Sequence, residues 1–195
     1  TSIYISSSWV TSNLDKVANR VVDISNNVLS SSNGRAGAIS IQGYTSENET
    51  IQAIVKNNEI NRPIYRAMEF GSIKSGRISN NTIRRAFSGQ GGYTDNWSPA
   101  AIDVYSSNID IVSNVIDSSF SAAVGFKYSI GRIDSNTVNH SSYGLWLEGN
   151  FEQSVTSLVR HNNLTNNYIA GIYTKQYSNP TINYNDLFSS STYFN

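Results

Sequence analysis

Two acidic residues occupy matching phrases of this 195-residue chain, Ala67-Met68-Glu69-Phe70 and Ala101-Ile102-Asp103-Val104. In each phrase the acid lies between two apolar residues, so in an extended segment it projects from the opposite face. If neighbouring segments pair side by side, the two carboxyls stand about 4.8 Å apart at the backbone. At that spacing each charge opposes ionisation of the other, one pKa rises, and a protonated acid sits beside a carboxylate. That pair suits acid–base cleavage of a glycosidic bond. Similar phrases recur with Ser40, Gly125, Trp146 and Tyr173 at the position of the acid. An outward Trp146 and Tyr173 offer flat apolar faces of the kind that stack on sugar rings, and Tyr105 and Trp97 would extend the track. Arg66 and Lys127 could meet anionic groups, and Glu148 lies next to Leu147 on the same segment as Trp146. The bland alternative is a pair of solvated surface carboxylates relieved by Arg66 or Lys127, with Trp146 covered by residues 148–157 or by another subunit.

What would position these residues is a repeat. An aliphatic residue, two others, an asparagine, one residue and a second aliphatic recur seven times, with the asparagines at Asn27, Asn58, Asn81, Asn114, Asn136, Asn162 and Asn185. They stand 31, 23, 33, 22, 26 and 23 residues apart, a base period of 22 to 23 with lengthened members. Such a period marks a solenoid whose coils carry loops. Each coil then holds a short strand before the asparagine, a tight corner, a short strand after it, and the Ala/Gly-led strand that carries the acid column. An asparagine amide has two donors and an acceptor, so stacked copies can form a ladder that satisfies the corner backbone. No segment has a capped helical period; residues 11–19 are the single weak helix candidate.

A leucine-rich repeat also has Leu-x-x-Asn-x-Leu, but it demands leucines five and eight residues before the asparagine. The minus-five residues here are Val22, Ala53, Gly76, Ile109, Gly131, Ser157 and Pro180, which is not a leucine frame. The repeated phrase and its following strand resemble the right-handed parallel β-helix superfamily of pectate lyases, carbohydrate epimerases and phage tailspikes. The resemblance runs over residues 20–190 and implies a fold, not an activity. The expected fold is all-β: a right-handed parallel β-helix solenoid of about seven coils with loop insertions, one domain over residues 1–195. The chain opens on Ile3-Tyr4-Ile5 and stops where another strand is due, so it is expected to be part of a longer polypeptide.

Composition narrows the partners. Formal net charge is zero and 14% of residues are charged, which leaves no basic cluster for nucleic acid. No apolar run has the length of a membrane span, so membrane insertion is not expected. Cysteine is absent, no calcium-binding nonapeptide repeats, and no cofactor motif is present, so neither metal nor cofactor is expected. His140 and His161 have no partner motif and read as corner residues. Insertions at residues 6–20, 42–52, 84–99 and 148–157 all adjoin the Ala/Gly-led strands and would wall a groove over them. The outward positions two residues beyond the acid column are expected at Gln42, Ser72, Ser106, Tyr128 and Gly149, with Tyr105, Lys127, Glu148 and Lys175 beside them near the corner.

The function expected from groove, residues and resemblance together is hydrolysis of a bacterial surface polysaccharide, as in a tailspike depolymerase. Glu69 and Asp103 would act as acid and base, and Trp146, Tyr173, Tyr105, Trp97, Arg66, Lys127 and Glu148 would hold the substrate. The resemblance further implies a virion-surface or secreted setting and a homotrimer. The polygalacturonase and alginate-epimerase signatures of the superfamily are absent. Open alternatives are a polysaccharide lyase using Lys127 with a neighbouring Tyr or Arg, a non-catalytic glycan-binding adhesin, and a structural fibre segment.

Overall fold

A computed structural model describes residues 2–6, 18–30, 37–43, 49–86, 100–149, 156–188 and 193–194. These residues wind into three parallel sheets, of eight, seven and seven strands. Sheet A contains Ile3–Ser6, Ile39–Gln42, Met68–Gly71, Ala100–Tyr105, Ala122–Lys127, Tyr143–Glu148, Ala170–Thr174 and Tyr193–Phe194. Sheet B contains the strands that precede each ladder asparagine, from Ala18–Ser25 to Thr181–Asn183, and sheet C the short strands that follow it, from Val28–Ser30 to Asp186–Phe188. Each strand therefore pairs with its counterpart one coil away, and the chain turns A to B to C once per coil. The helix candidate fails where it can be checked, because Ala18 and Asn19 open a sheet B strand; residues 11–17 lie outside the described set.

The core is a set of apolar columns along the coil axis. Met68, Ile102, Val124 and Leu145 form one column of sheet A, and Phe70, Val104, Phe126 and Leu147 the next; all are fully buried. Val55, Ile78, Ile111, Ile133 and Val159 stack likewise in sheet B, and Ile60, Ile83, Ile116, Val138 and Leu164 in sheet C. Burial of each such side chain contributes about 1.5–3 kcal/mol. The β-branched residues suit the strands because their stiff χ1 packs well on a pleated surface. In the minus-five column Gly131, with φ +140°, has no room for a side chain, since a β-carbon there would overlap the Ile109 carbonyl. Gly131→Ala should therefore destabilise the fold by about 2–3 kcal/mol, read as a lowered urea midpoint. An unchanged midpoint would contradict the packing described.

All three corners turn through left-handed backbone. Between B and C the residue before each ladder asparagine has φ between 52° and 60°: Asn26, Asn57, Asn80, Ser113, Ser135, His161 and Tyr184. Arg62, Arg85, Ser118, His140 and Asn166 turn the chain from C to A, and Ser72, Ser106, Tyr128 and Tyr177 from A to B. Both histidines are thus corner residues, as their sequence context suggested. Left-handed backbone costs a non-glycine residue about 1–2 kcal/mol, so each corner must be held by what surrounds it.

At the B–C corner the holder is the asparagine ladder. Each side-chain amide donates to the next Oδ1, from Asn27 through Asn58, Asn81, Asn114, Asn136 and Asn162 to Asn185, at 2.9–3.0 Å. The same Oδ1 also accepts the backbone N–H of the preceding asparagine at 2.9–3.0 Å. A shorter serine ladder, invisible in this serine-rich sequence, does similar work at the A–B corner. There Ile73 N donates to Ser107 Oγ at 3.0 Å and Ser107 N to Ser129 Oγ at 3.1 Å.

Candidate functional site

The register of sheet A sets the acid column as expected. Ser40 pairs with Glu69, Glu69 with Asp103, Asp103 with Gly125, Gly125 with Trp146 and Trp146 with Tyr173. The column two residues on is Gln42, Gly71, Tyr105, Lys127 and Glu148. This corrects the expectation of Ser72, Ser106 and Tyr128 there: those three are the left-handed corner residues and have left the strand. Gly149 likewise follows its strand and donates its N–H to Gln176 O. At Ser72, Ser106 and Tyr128 the left-handed corner is made without a glycine, so the sequence alone places the outward position one residue too far.

Glu69 and Asp103 share Arg66. The Arg66 Nε donates to Asp103 Oδ2 at 2.8 Å while its Nη1 lies 3.4 Å from Glu69 Oε1. Asp103 is bracketed on its other side by Lys127 Nζ at 3.3 Å from Oδ1. Asp103 and Lys127 are nearly fully buried, with side-chain exposures of 1% and 3%, whereas those of Glu69 and Arg66 are 14% and 20%. The picture of two solvent-facing carboxylates thus holds in register but not in exposure. Asp103 projects from the outer face and is enclosed with two cations, and only Glu69 of the pair keeps an open side.

Glu69 has its pKa raised, first by burial and then by the Asp103 charge; Arg66, the Ser40 hydrogen bond and Lys127 oppose the rise without cancelling it. The Ser40 hydroxyl donates to Glu69 Oε2 at 3.3 Å and itself accepts from Gln42 Nε2 at 3.5 Å. Tyr105 closes the chain by donating its hydroxyl to Gln42 Oε1. To do so its phenol lies across the next coil where Gly71 leaves room, since a β-carbon at Gly71 would overlap it. The Tyr105 pKa is pushed up, mostly by burial and then by Glu69, so the phenol keeps its proton.

Farther along the axis, past Gly125, the outer face turns aromatic. Trp146 packs edge-on against Tyr143 with centroids 4.9 Å apart and tilts against Tyr173 at 4.5 Å, and Tyr143 and Tyr173 are 5.4 Å apart. All three rings stay partly exposed. The Trp146 Nε1–H donates to Glu148 Oε2 at 3.0 Å, and Lys175 Nζ holds the other oxygen at 2.8 Å. That bond is the main reason the Lys175 pKa is raised. Glu148 therefore orients the indole. Tyr143 and Lys175 complete this cluster; Tyr143 was missed because it precedes the Gly144 that marks the phrase. Gly125 lies between acids and aromatics, and an added β-carbon would sit 2.9 Å from Ala100 Cβ and 3.0 Å from Asp103 Oδ1. Trp97 and most of the four insertions fall outside the described residues.

Three stacked parallel sheets with an asparagine ladder restrict the family, and comparison decides it. The family model described as the right-handed β-helix region matches residues 11–187. The chain belongs to that family. Within a right-handed β-helix the acid and aromatic columns above both lie on the outer face of one sheet, which makes that face a continuous surface rather than a set of isolated contacts. A search of curated proteins found no match to the chain. Among the described residues no three His, Asp or Glu side chains gather in a way that could hold a metal ion, and no helix is long and apolar enough to cross a membrane.

Proposed function

We propose that this β-helix binds a polysaccharide across the outer face of sheet A and hydrolyses it, with Glu69 as the proton donor. The observation that carries the reading is a largely buried carboxyl with a raised pKa on the same face as a partly exposed cluster of three aromatic rings. Glu69 and the Trp146 ring are three strands apart on that face, about 14 Å at the backbone, a distance spanned by a short oligosaccharide. Asp103 acts on Glu69 rather than on the substrate: its charge helps keep Glu69 protonated, and it fixes Arg66 and Lys127 in place. A bacterial surface glycan, met outside the cell or from a virion, is the substrate this reading favours.

Hydrolysis is preferred to elimination because Glu69 can give its proton to the glycosidic oxygen while water adds to the anomeric carbon and loses a proton to solvent, whereas a lyase needs a side chain that takes a proton from the sugar. Tyr105 is pushed away from ionisation, and Lys127 is buried against Asp103. A second reading, glycan binding without cleavage, is favoured by one observation: the burial of Asp103 leaves Glu69 beside no open carboxylate on its own column. Trp146→Ala should weaken glycan binding about tenfold or more, through loss of the stacking surface, with the fold retained. Unchanged affinity for every glycan that the wild type binds would remove the aromatic track from the proposal.

A further inference from the structure

The C–A corner presents two adjoining open clefts that share Arg85. One, of about 350 Å³, is lined by Arg62, Arg84, Arg85 and Asp117; the other, of about 430 Å³, extends to Phe120, His140 and Tyr168. Both volumes are in the range of ligand sites. They lie on a different edge of the solenoid from the Glu69 and Trp146 columns. Arg62 and Arg85 are the left-handed residues of adjacent coils, since their neighbours Asn61 and Arg84 pair in sheet C. Two exposed arginines are thus about 4.8 Å apart at the backbone. Arg84 is neutralised by Glu59 at 2.6 Å, and His140 lies 3.5 Å from Asp117. The Arg62 and Arg85 side chains have no hydrogen-bond or ion-pair partner among the described residues.

The choice of residue is itself informative. Asparagine fits left-handed backbone best after glycine, and it fills that place at Asn26, Asn57 and Asn80 on the B–C corner and at Asn166 in this same column. Arginine gains nothing locally from that backbone, and two of them repel. An anion between them removes the repulsion and takes paired hydrogen bonds from both forks. Beyond the arginines Phe120 and Tyr168 expose 63% and 72% of their surface, two coils apart along the same corner. Flat apolar faces beside hydroxyls of Ser118 and Ser142 suit sugar rings, not an extended run of phosphates, which would need more than two free cations.

We propose that this corner is a second binding site, for an anionic oligosaccharide. Its carboxylates sit between Arg62 and Arg85, and its rings run along the axis over Phe120 to Tyr168. From Arg62 to Tyr168 the site covers four coil steps, roughly 19 Å. It does not depend on the chemistry assigned to sheet A.

The test is calorimetric titration of the full chain with hexagalacturonate, a sialic acid hexamer and neutral maltohexaose, in low and moderate salt. The wild type is expected to bind at least one acidic hexamer, more weakly as salt rises, and to bind maltohexaose less well. The double variant Arg62→Asn/Arg85→Asn should lose at least tenfold of that affinity while melting no lower than wild type, because asparagine suits the corner. The control Arg77→Asn, at an exposed arginine of sheet B, should leave it intact. The proposal is overturned if no acidic hexamer binds, if the arginine variant binds as wild type does, or if Trp146→Ala and not the arginine pair removes binding. The last result would place the acidic ligand on sheet A and leave the sheet A reading standing.

Discussion

Glu69→Gln is expected to abolish the proposed glycan cleavage and to leave glycan binding within about twofold: a drop in kcat of about 10²–10⁴ with little change in KM is the size of effect a general acid supplies. Glutamine keeps the shape and the hydrogen bond from Ser40 but has no proton to give. Asp103→Asn acts differently. The Asp103 charge helps raise the Glu69 pKa, so its removal lowers that pKa, and Arg66 is freed to pair with Glu69 alone. The alkaline limb of the rate profile should therefore move to lower pH. The same change strips buried Lys127 of its Asp103 counter-charge, which should cost about 3–5 kcal/mol of stability.

The sign of the linkage gives a second readout on Glu69. Its folded pKa lies above the unfolded value, so its contribution to stability is full below the unfolded pKa and is lost as pH rises through the folded one. Glu69→Gln stays neutral throughout and should lack that decline. A thermal melt series from acid to neutral pH checks this; parallel curves for the two proteins would mean that the Glu69 carboxyl is not perturbed.

Asn114→Ala is expected to destabilise the fold by about 3–4 kcal/mol, while Asn185→Ala at the end of the ladder costs about 1 kcal/mol. Asn114 is fully buried. Its Oδ1 accepts from the backbone N–H and the side-chain amide of Asn81, both at 3.0 Å, and its own amide donates to Ile78 O and Asn136 Oδ1. Alanine leaves the Asn81 N–H unsatisfied in the interior at a left-handed corner, where no strand partner can replace the lost acceptor. Asn185 is only half-buried, so water replaces much of what its removal takes away. Urea unfolding followed by circular dichroism measures both. Equal losses at the two positions would mean that the ladder satisfies nothing that burial makes costly.

The repeat was legible because a solenoid writes its period into the chain. The ladder asparagines have one physical job, done seven times, and the alternation of the sheet A phrases fixes which residue faces out. The column from Ser40 to Tyr173 follows from those two facts alone. What the sequence hid depends on neighbours far apart in it. Asp103 reads as exposed from its own strand; its burial is decided by Arg66, Gly125 and Lys127, which come from other coils. The second column slipped because Ser72, Ser106 and Tyr128 adopt left-handed backbone without being glycine, and Gly71 reads as a strand break although it makes room for Tyr105. Arg62 and Arg85 gave no signal at all, since a corner that favours asparagine can be recognised only once the coils are stacked.

The most direct test of the central claim is product analysis after incubating the chain with a panel of bacterial capsular and O-antigen polysaccharides. The account predicts that at least one is shortened to fragments with new reducing ends and saturated sugars, and that Glu69→Gln yields none. Fragments carrying an unsaturated terminal sugar, or full-length glycan recovered from every incubation, would contradict proton donation by Glu69.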